Sequence, residues 1–246
     1  MEINAEGICY RDLNRMIRQA VSMGEQSIVL RNINGQRYIG NGIDSKIKLV
    51  VKGTPGQDMA AFMKGPEIDV EGNAQDGIGN TMDDGKIIVR GMAGDIIGYG
   101  MRGGEIYVSG DVGYRVGIHM KSSDEKNPVI VIGGKAGDFL GEYMAGGMII
   151  LLGMLSRTDK NVPLAGNFLG TGMHGGAIYT RGPVDKHSLG RGLGIREVSG
   201  QDFDIIMPYL EEFGRQFGVD VSVMLESNFY CIYPTTHRPY GNMYAY

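Results

Sequence analysis

Cysteine is scarce: Cys9 and Cys231 are the only two in 246 residues, and neither belongs to a C-x-x-C pair. Two such thiols cannot by themselves hold an iron–sulfur cluster or a structural zinc, and they make no disulfide framework; reduced thiols in a cytoplasmic protein are expected. Surplus positive charge is missing too. The 24 Lys and Arg stand against 28 Asp and Glu, a net charge of −4, which argues against nucleic-acid binding and against a polybasic membrane patch. Long apolar runs are absent. Met148–Leu152 holds five residues, where a bilayer-spanning helix needs about 20. The opening MEINAEGICYRD lacks a basic start followed by an apolar stretch, so no secretory signal is expected. Prolines number 8 and glycines do not recur at every third position, which excludes a collagen-like rod.

Glycine is what the chain has in plenty: 41 residues, one in six, where about 7% is usual. Apolar residues make up 42%, enough for a real core. The glycines fall in register. Leu49-Val50-Val51, Ile68-Asp69-Val70, Ile87-Ile88-Val89 and Ile106-Tyr107-Val108 each lead to a glycine two residues on, at 53, 72, 91 and 110, in steps of 19. The series continues to Gly134, Gly153 and Gly182 in steps of 24, 19 and 29. Met63, Met82, Met101, Met120, Met144 and Met173 form a second column with steps of 19, 19, 19, 24 and 29. A third column runs Gly56, Gln75, Gly94, Gly113, Gly137 and Gly166, and a fourth Ala60, Gly79, Gly98, Gly117, Gly141 and Gly170. Residues 122–128 and 157–163 are polar, proline-ended insertions that account for longer steps.

Four columns in register are a structural repeat. Each repeat carries a short alternating strand, with Ile87 and Val89 on one face and Ile88 and Arg90 on the other. A helix is excluded, because each interior glycine would cost it about 1 kcal/mol. One such turn cannot bury its apolar side; stacking does so by setting Ile on Ile and Met on Met. The expected fold is an all-β core, a single-stranded right-handed parallel β-helix of about seven coils. It should carry an N-terminal helix/hairpin cap and a C-terminal α+β extension. The right hand is favoured over the left, since a repeat of 19 fits neither hexapeptide coils nor 18-residue calcium-binding coils.

Three segments are expected: a cap over 1–44, the β-helix over 45–195 and a C-terminal helix with an aromatic tail over 196–246. In the first, Asp12–Met23 reads as an amphipathic helix burying Leu13, Met16, Ile17, Ala20 and Val21, with Arg11, Arg15 and Arg18 on its solvent side. Ile28–Ile33 and Gln36–Ile39 flank Asn34-Gly35, a type I′ hairpin signal. In the last, Asp202–Phe217 has helical spacing, with Pro208 placed at its first turn, and Val219–Val223 reads as a strand. Phe229, Tyr230, Tyr233, Tyr240, Tyr244 and Tyr246 make a tail suited to packing on its own domain or on a partner.

Reactive constellations are not found. Gly98-Tyr99-Gly100-Met101-Arg102-Gly103 and Gly170-Thr171-Gly172-Met173-His174-Gly175 match G-x-G-x-x-G, yet each leads into a strand, where a dinucleotide site needs a helix. His119, His174, His187 and His237 make no short ligand pair, and His119 and His174 flank the methionine column in turn or core roles. Gln57, Asp76, Asp95, Tyr114, Asp138 and Asn167 form a polar column. Carboxylates there could serve sugar cleavage or a metal, but Asp and Asn beside glycine ordinarily bond to backbone, and a stabilising ladder is the expected role. No catalytic, cofactor-binding or metal-ligating residue is assigned.

The spacing G-x-x-G-x-x-x-G, seen at Gly91/Gly94/Gly98, Gly110/Gly113/Gly117 and Gly134/Gly137/Gly141, resembles the C-terminal β-helical domain of the glutamate synthase large subunit. The segments over 53–62, 84–89 and 142–147 are similar as well, and the likeness covers about residues 45–185, with departures at Ala60 and Gln75. The resemblance implies a scaffold, not catalytic alone, that holds an amidotransferase and an FMN/iron–sulfur synthase in place. FMN and the cluster would then sit on partner subunits, and a homo-oligomer stays open. One of the subunits of formylmethanofuran dehydrogenase has a similar repeat and is the alternative; a self-sufficient polysaccharide-cleaving β-helix enzyme is a further one.

Overall fold

The computed structural model describes residues 1–123, 125–158 and 162–236. His237, Tyr240, Tyr244 and Tyr246 lie outside the described residues, as do parts of both inserted loops. Eleven strands form one sheet: β1 (Glu2–Asn4), β2 (Ser27–Asn34), β3 (Lys48–Thr54), β4 (Lys64–Glu71), β5 (Asp84–Val89), β6 (Glu105–Val108), β7 (Val129–Ile132), β8 (Ala145–Leu151), β9 (Gly175–Arg181), β10 (Leu193–Glu197) and β11 (Phe229–Pro234). From β1 to β9 every neighbour is parallel and the strands follow in chain order. That succession is a parallel β-solenoid, with β3–β9 supplying seven rungs and six steps.

The columns of the sequence are the interior. Ile68 pairs with Ile87, Ile87 with Ile106, Ile106 with Ile130, Ile130 with Ile149 and Ile149 with Ile178. All six methionines of the second column are buried, none more than 2% exposed. A second side of each coil is a row of single parallel bridges, Ala74–Ala93–Val112–Ala136–Ala165. A third side follows, in which left-handed residues alternate with ordinary ones: 58, 60 and 62; 96, 98 and 100; 115, 117 and 119. Their backbone N–H groups bond to the coils above and below, as from Ile96 to Tyr114 O (2.8 Å) and from Gly98 to Ile78 O (2.8 Å).

This geometry explains the glycine motif. A Cβ on Gly94 would lie 2.0 Å from Asp76 Oδ1, so the third column is empty to admit the carboxylate of the coil before. Gly98 in the fourth has φ +67, and a Cβ there would meet Ile130 Cδ1 at 2.6 Å. Ala60, the departure from glycine, holds the same left-handed conformation at φ 63.

The outer sheet face carries paired charges toward the N-terminal rungs, Lys48–Glu67 (2.9 Å) and Lys86–Glu105 (3.4 Å), and turns apolar further on. Helix α2 (Gly200–Phe217) covers the apolar part, packing Ile206, Leu210 and Phe213 with Tyr107, Val131, Ile150 and Tyr179. Burying side chains of this size contributes about 1.5–3 kcal/mol each. Glu212 of α2 reaches Lys86 at 2.8 Å, and Arg90 holds Gln216 O at 2.9 Å. Strand β11 then joins β9 in the antiparallel sense and β10 adds to it, ending the parallel run. The tail residues Phe229, Tyr230 and Tyr233 are thus tied to their own sheet.

Several local expectations are corrected. There is no hairpin at Asn34-Gly35: β2 pairs in parallel with β3, and residues 36–43 form the third side of the first coil, with Tyr38, Gly40 and Gly42 left-handed. The Gln36 side chain bonds Asn34 N at 2.6 Å and Ala5 O at 3.2 Å, holding the chain away from a return along β2. Helix α1 (Tyr10–Ser22) buries Leu13, Ile17 and Ala20 but leaves Met16 36% exposed. Val219–Val223 is not a strand: Asp220 accepts the Ser222 N–H and starts a short helix α3 (Val221–Met224). Pro208 lies inside α2, not at its first turn, because Asp202 and Ser199 set the start further upstream. Its exposed position leaves the unbonded carbonyl one turn earlier to water.

Candidate functional site

The polar column is a ladder of backbone caps. Asp76 Oδ1 accepts the N–H of Asp95 (2.9 Å), Asp95 Oδ1 that of Tyr114 (2.8 Å), and Asp138 Oδ1 that of Asn167 (2.7 Å). Asn73 and Asp111 repeat the device one corner earlier, onto Met92 N (2.9 Å) and Lys135 N (2.7 Å). Each bond joins successive coils, so these side chains stabilise the stack.

A groove of about 600 Å³ opens beside this ladder between Asp111, Lys135, Asp138 and Asp185. Each acid there commits one oxygen to a backbone amide: Asp111 to Lys135, Asp138 to Asn167 and Asp185 to His187 (2.9 Å). Asp111 Oδ2 is buried without a hydrogen-bond partner among the described residues. Among the described residues, no three His, Cys, Asp or Glu side chains converge as a metal site requires.

Nucleophile chemistry finds no support at the buried thiol. Burial pushes the Cys231 pKa up, keeping the sulfur protonated beside Tyr179, whose hydroxyl pKa burial also raises. The nearby Asp202 carboxyl is held well below the usual carboxylate range, first by its hydrogen bond from Arg196 (2.7 Å) and then, against burial, by Ser199 (2.8 Å). That group fastens β10 to the start of α2.

The third side of the coils presents a different surface. Phe139 stacks on Phe168 with ring centres 4.9 Å apart, and the Arg115 guanidinium lies over Phe139 at 4.4 Å while pairing with Glu142. Alongside, His119 stacks on Tyr143 (5.3 Å) and meets Tyr99 edge-on (5.8 Å). Phe168 and Tyr114 are each 54% exposed, Tyr143 41% and Tyr99 40%. Left-handed backbone turns side chains outward here, as at Arg115 (φ 56), His119 (φ 56), Phe139 (φ 64), Tyr143 (φ 52) and Phe168 (φ 62). Aromatic and Arg side chains on an exposed strip are the composition of an interface core.

Of the expected histidines, His119 is exposed on this strip and not in the core. His174 Nδ1 lies 3.2 Å from Gly172 O in a turn, and His187 lies in a one-turn 3-10 helix at Lys186–Ser188. They are not brought together. The strip escapes a reading of the sequence, although 96, 115, 139 and 168 follow the steps of 19, 24 and 29. Its column reads Ile, Arg, Phe, Phe, so spacing repeats without a repeated side chain.

No helix among the described residues is long and apolar enough to cross a membrane. An uncharacterised protein, MJ1350, from Methanocaldococcus jannaschii is 46% identical over 249 residues, covering 99% of this chain and 95% of that protein. The crystal structure of the formyltransferase/hydrolase complex (FhcABCD) from Methylorubrum extorquens in complex with methylofuran holds a chain of like fold. Its TM-score is 0.63 at 21% identity, over 83% of this chain and 72% of that one. The family model for the GXGXG motif matches residues 23–230, taking in every strand from β2 to β10 together with α2. The corner glycines, their carboxylate ladder and this match together establish that the chain belongs to the GXGXG motif family.

Proposed function

We propose that this chain is a non-catalytic scaffold within a multi-subunit enzyme complex, of the kind that the repeat-bearing subunit provides in formylmethanofuran dehydrogenase. The observation that carries it is the strip of Tyr99, His119, Phe139, Tyr143 and Phe168 along the third side of the coils, exposed at every ring but the half-buried Phe139. Stacked rings on rigid backbone present a large apolar area whose side chains lose little freedom when a partner covers it. The neighbour of like fold belongs to a formyltransferase/hydrolase complex, which favours this assembly over glutamate synthase. The residues that resemble glutamate synthase, Gly91, Gly94, Gly98 and their equivalents, serve corner geometry. They answer to coil geometry and do not distinguish one complex from the other.

The test is recovery of the tagged chain from its own cells. A molybdenum or tungsten protein should accompany it, and Tyr143→Ser with Phe168→Ser should release that protein while the circular dichroism spectrum stays that of the unaltered chain. Co-purification of an amidotransferase with an FMN protein would overturn the assignment in favour of glutamate synthase. Release of ammonia from glutamine by the chain alone, or FMN binding by it unaided, would end the scaffold reading.

A further inference from the structure

The solvent face of α1 gathers positive charge that the described residues answer with a single acid. Arg11, Arg15 and Arg18 are exposed along this helix, and Arg37 of the first coil joins them over the ring of Tyr10 at 5.0 Å. Among the described residues, the one carboxylate paired with them is Asp12, 3.0 Å from Arg15. Arg11 meets the Tyr10 hydroxyl at 3.2 Å and Arg18 touches Asn41 O at 3.4 Å. Between them lies a groove of about 410 Å³, walled by Tyr10 and Tyr38. In a protein with a net charge of −4, three guanidiniums lining one groove, with that of Arg37 beside its Tyr10 wall, are a local reversal of sign.

We infer that this groove docks a carboxylate-rich segment of a partner protein. The spacing along the helix is about 6 Å from Arg11 to Arg15 and about 4.5 Å from Arg15 to Arg18. Carboxylates on alternate residues of an extended chain repeat at about 6.6 Å, and those at i and i+4 of a helix at about 6 Å. Guanidinium forks take carboxylates with two parallel hydrogen bonds, and flanking tyrosines cover the apolar stems of such a segment. A lone phosphate is a poorer fit, since these cations are spread along a helix face and exposed. A nucleic acid would face repulsion from the rest of the chain. The inference rests on the scaffold reading, because Tyr38 occupies the same coil position as Arg115, Phe139 and Phe168. Groove and aromatic strip therefore lie along one edge of the solenoid.

The experiment uses the full chain and a fluorescein-labelled 12-residue peptide of alternating Asp and Glu, read by anisotropy. Binding should appear at low salt and weaken at least tenfold as NaCl rises to 0.3 M. Arg11→Gln/Arg15→Gln/Arg18→Gln should lose at least tenfold in affinity with unchanged circular dichroism, and Asp12→Asn should gain two- to threefold. Equal binding by the triple variant overturns the inference, and so does tighter binding of a single-stranded DNA of equal charge. In the tagged-chain experiment, a complex that forms as well with the triple variant overturns the groove and leaves the scaffold standing. Loss of the complex from the unaltered chain, with peptide binding intact, does the reverse.

Discussion

Replacing Gly94 by Ala tests whether the third-column glycines exist for the carboxylates. The new Cβ would lie 2.0 Å from Asp76 Oδ1 and 3.1 Å from Asp76 Cγ and N. The backbone at Gly94 is not left-handed, so alanine is compatible with it and its restriction of the unfolded chain favours folding by about 0.4–1 kcal/mol. Against this, the carboxylate must leave, freeing the Asp95 N–H that it accepts at 2.9 Å. An amide left without a partner costs about 1–3 kcal/mol, and forcing a side chain out of a packed site about 1–3 kcal/mol more. Gly94→Ala should therefore destabilise by about 2–4 kcal/mol in urea unfolding. Asp76→Ala should cost about 1–2 kcal/mol, for the same half-buried amide without the clash. The double variant should fall near Asp76→Ala alone, so that the coupling equals the Gly94→Ala cost itself, about 2–4 kcal/mol. Strict additivity would refute the reasoning, since glycine would then be required for some other purpose.

Two further outcomes follow from the interior and from the α2 anchor. Met101→Lys puts a charge at a position with no exposure, and the chain should lose its cooperative melting transition; a melting temperature within a few degrees of the unaltered chain would contradict the buried column. Asp202 has a folded pKa depressed by Arg196 and Ser199, so its contribution is complete above the unfolded value near 4 and lost as pH falls below it. Asp202→Asn should thus lower stability at pH 7 and flatten the acid limb of the stability–pH curve below about pH 4; an unaltered limb would contradict the anchor.

The solenoid was legible because its information is long-range and periodic: the isoleucine and methionine columns keep the same steps through both insertions. Local signals were less dependable where a distant partner competes. Asn34-Gly35 favours a hairpin in isolation, yet Gly35 N bonds Thr54 O at 2.8 Å and the Gln36 side chain bonds Ala5 O at 3.2 Å, which commits the segment to the coil. At Val219–Val223, β-branched residues suggest a strand, while the Asp220 carboxylate is a helix start whose effect depends on one hydrogen bond. The cover over the outer face went unread, although Ile88, Tyr107, Val131 and Ile150 are apolar where a solvated face would be polar. The aromatic strip could not be read from residue type, because its rings come together only when left-handed backbone turns them outward.

From β1 to β9 strand order is chain order, and this has a mechanical meaning. Within that run each strand pairs with the one before and the one after, so the separation of the two ends grows in whole increments of about 4.8 Å. Strand β11, running the other way, ends the parallel run and fixes where the count stops, with β10 added beyond it. The molecule thereby works as a ruler with discrete marks: anything attached near α1 and anything attached near β11 is kept at a span fixed by the number of coils, and loops lengthen without changing it.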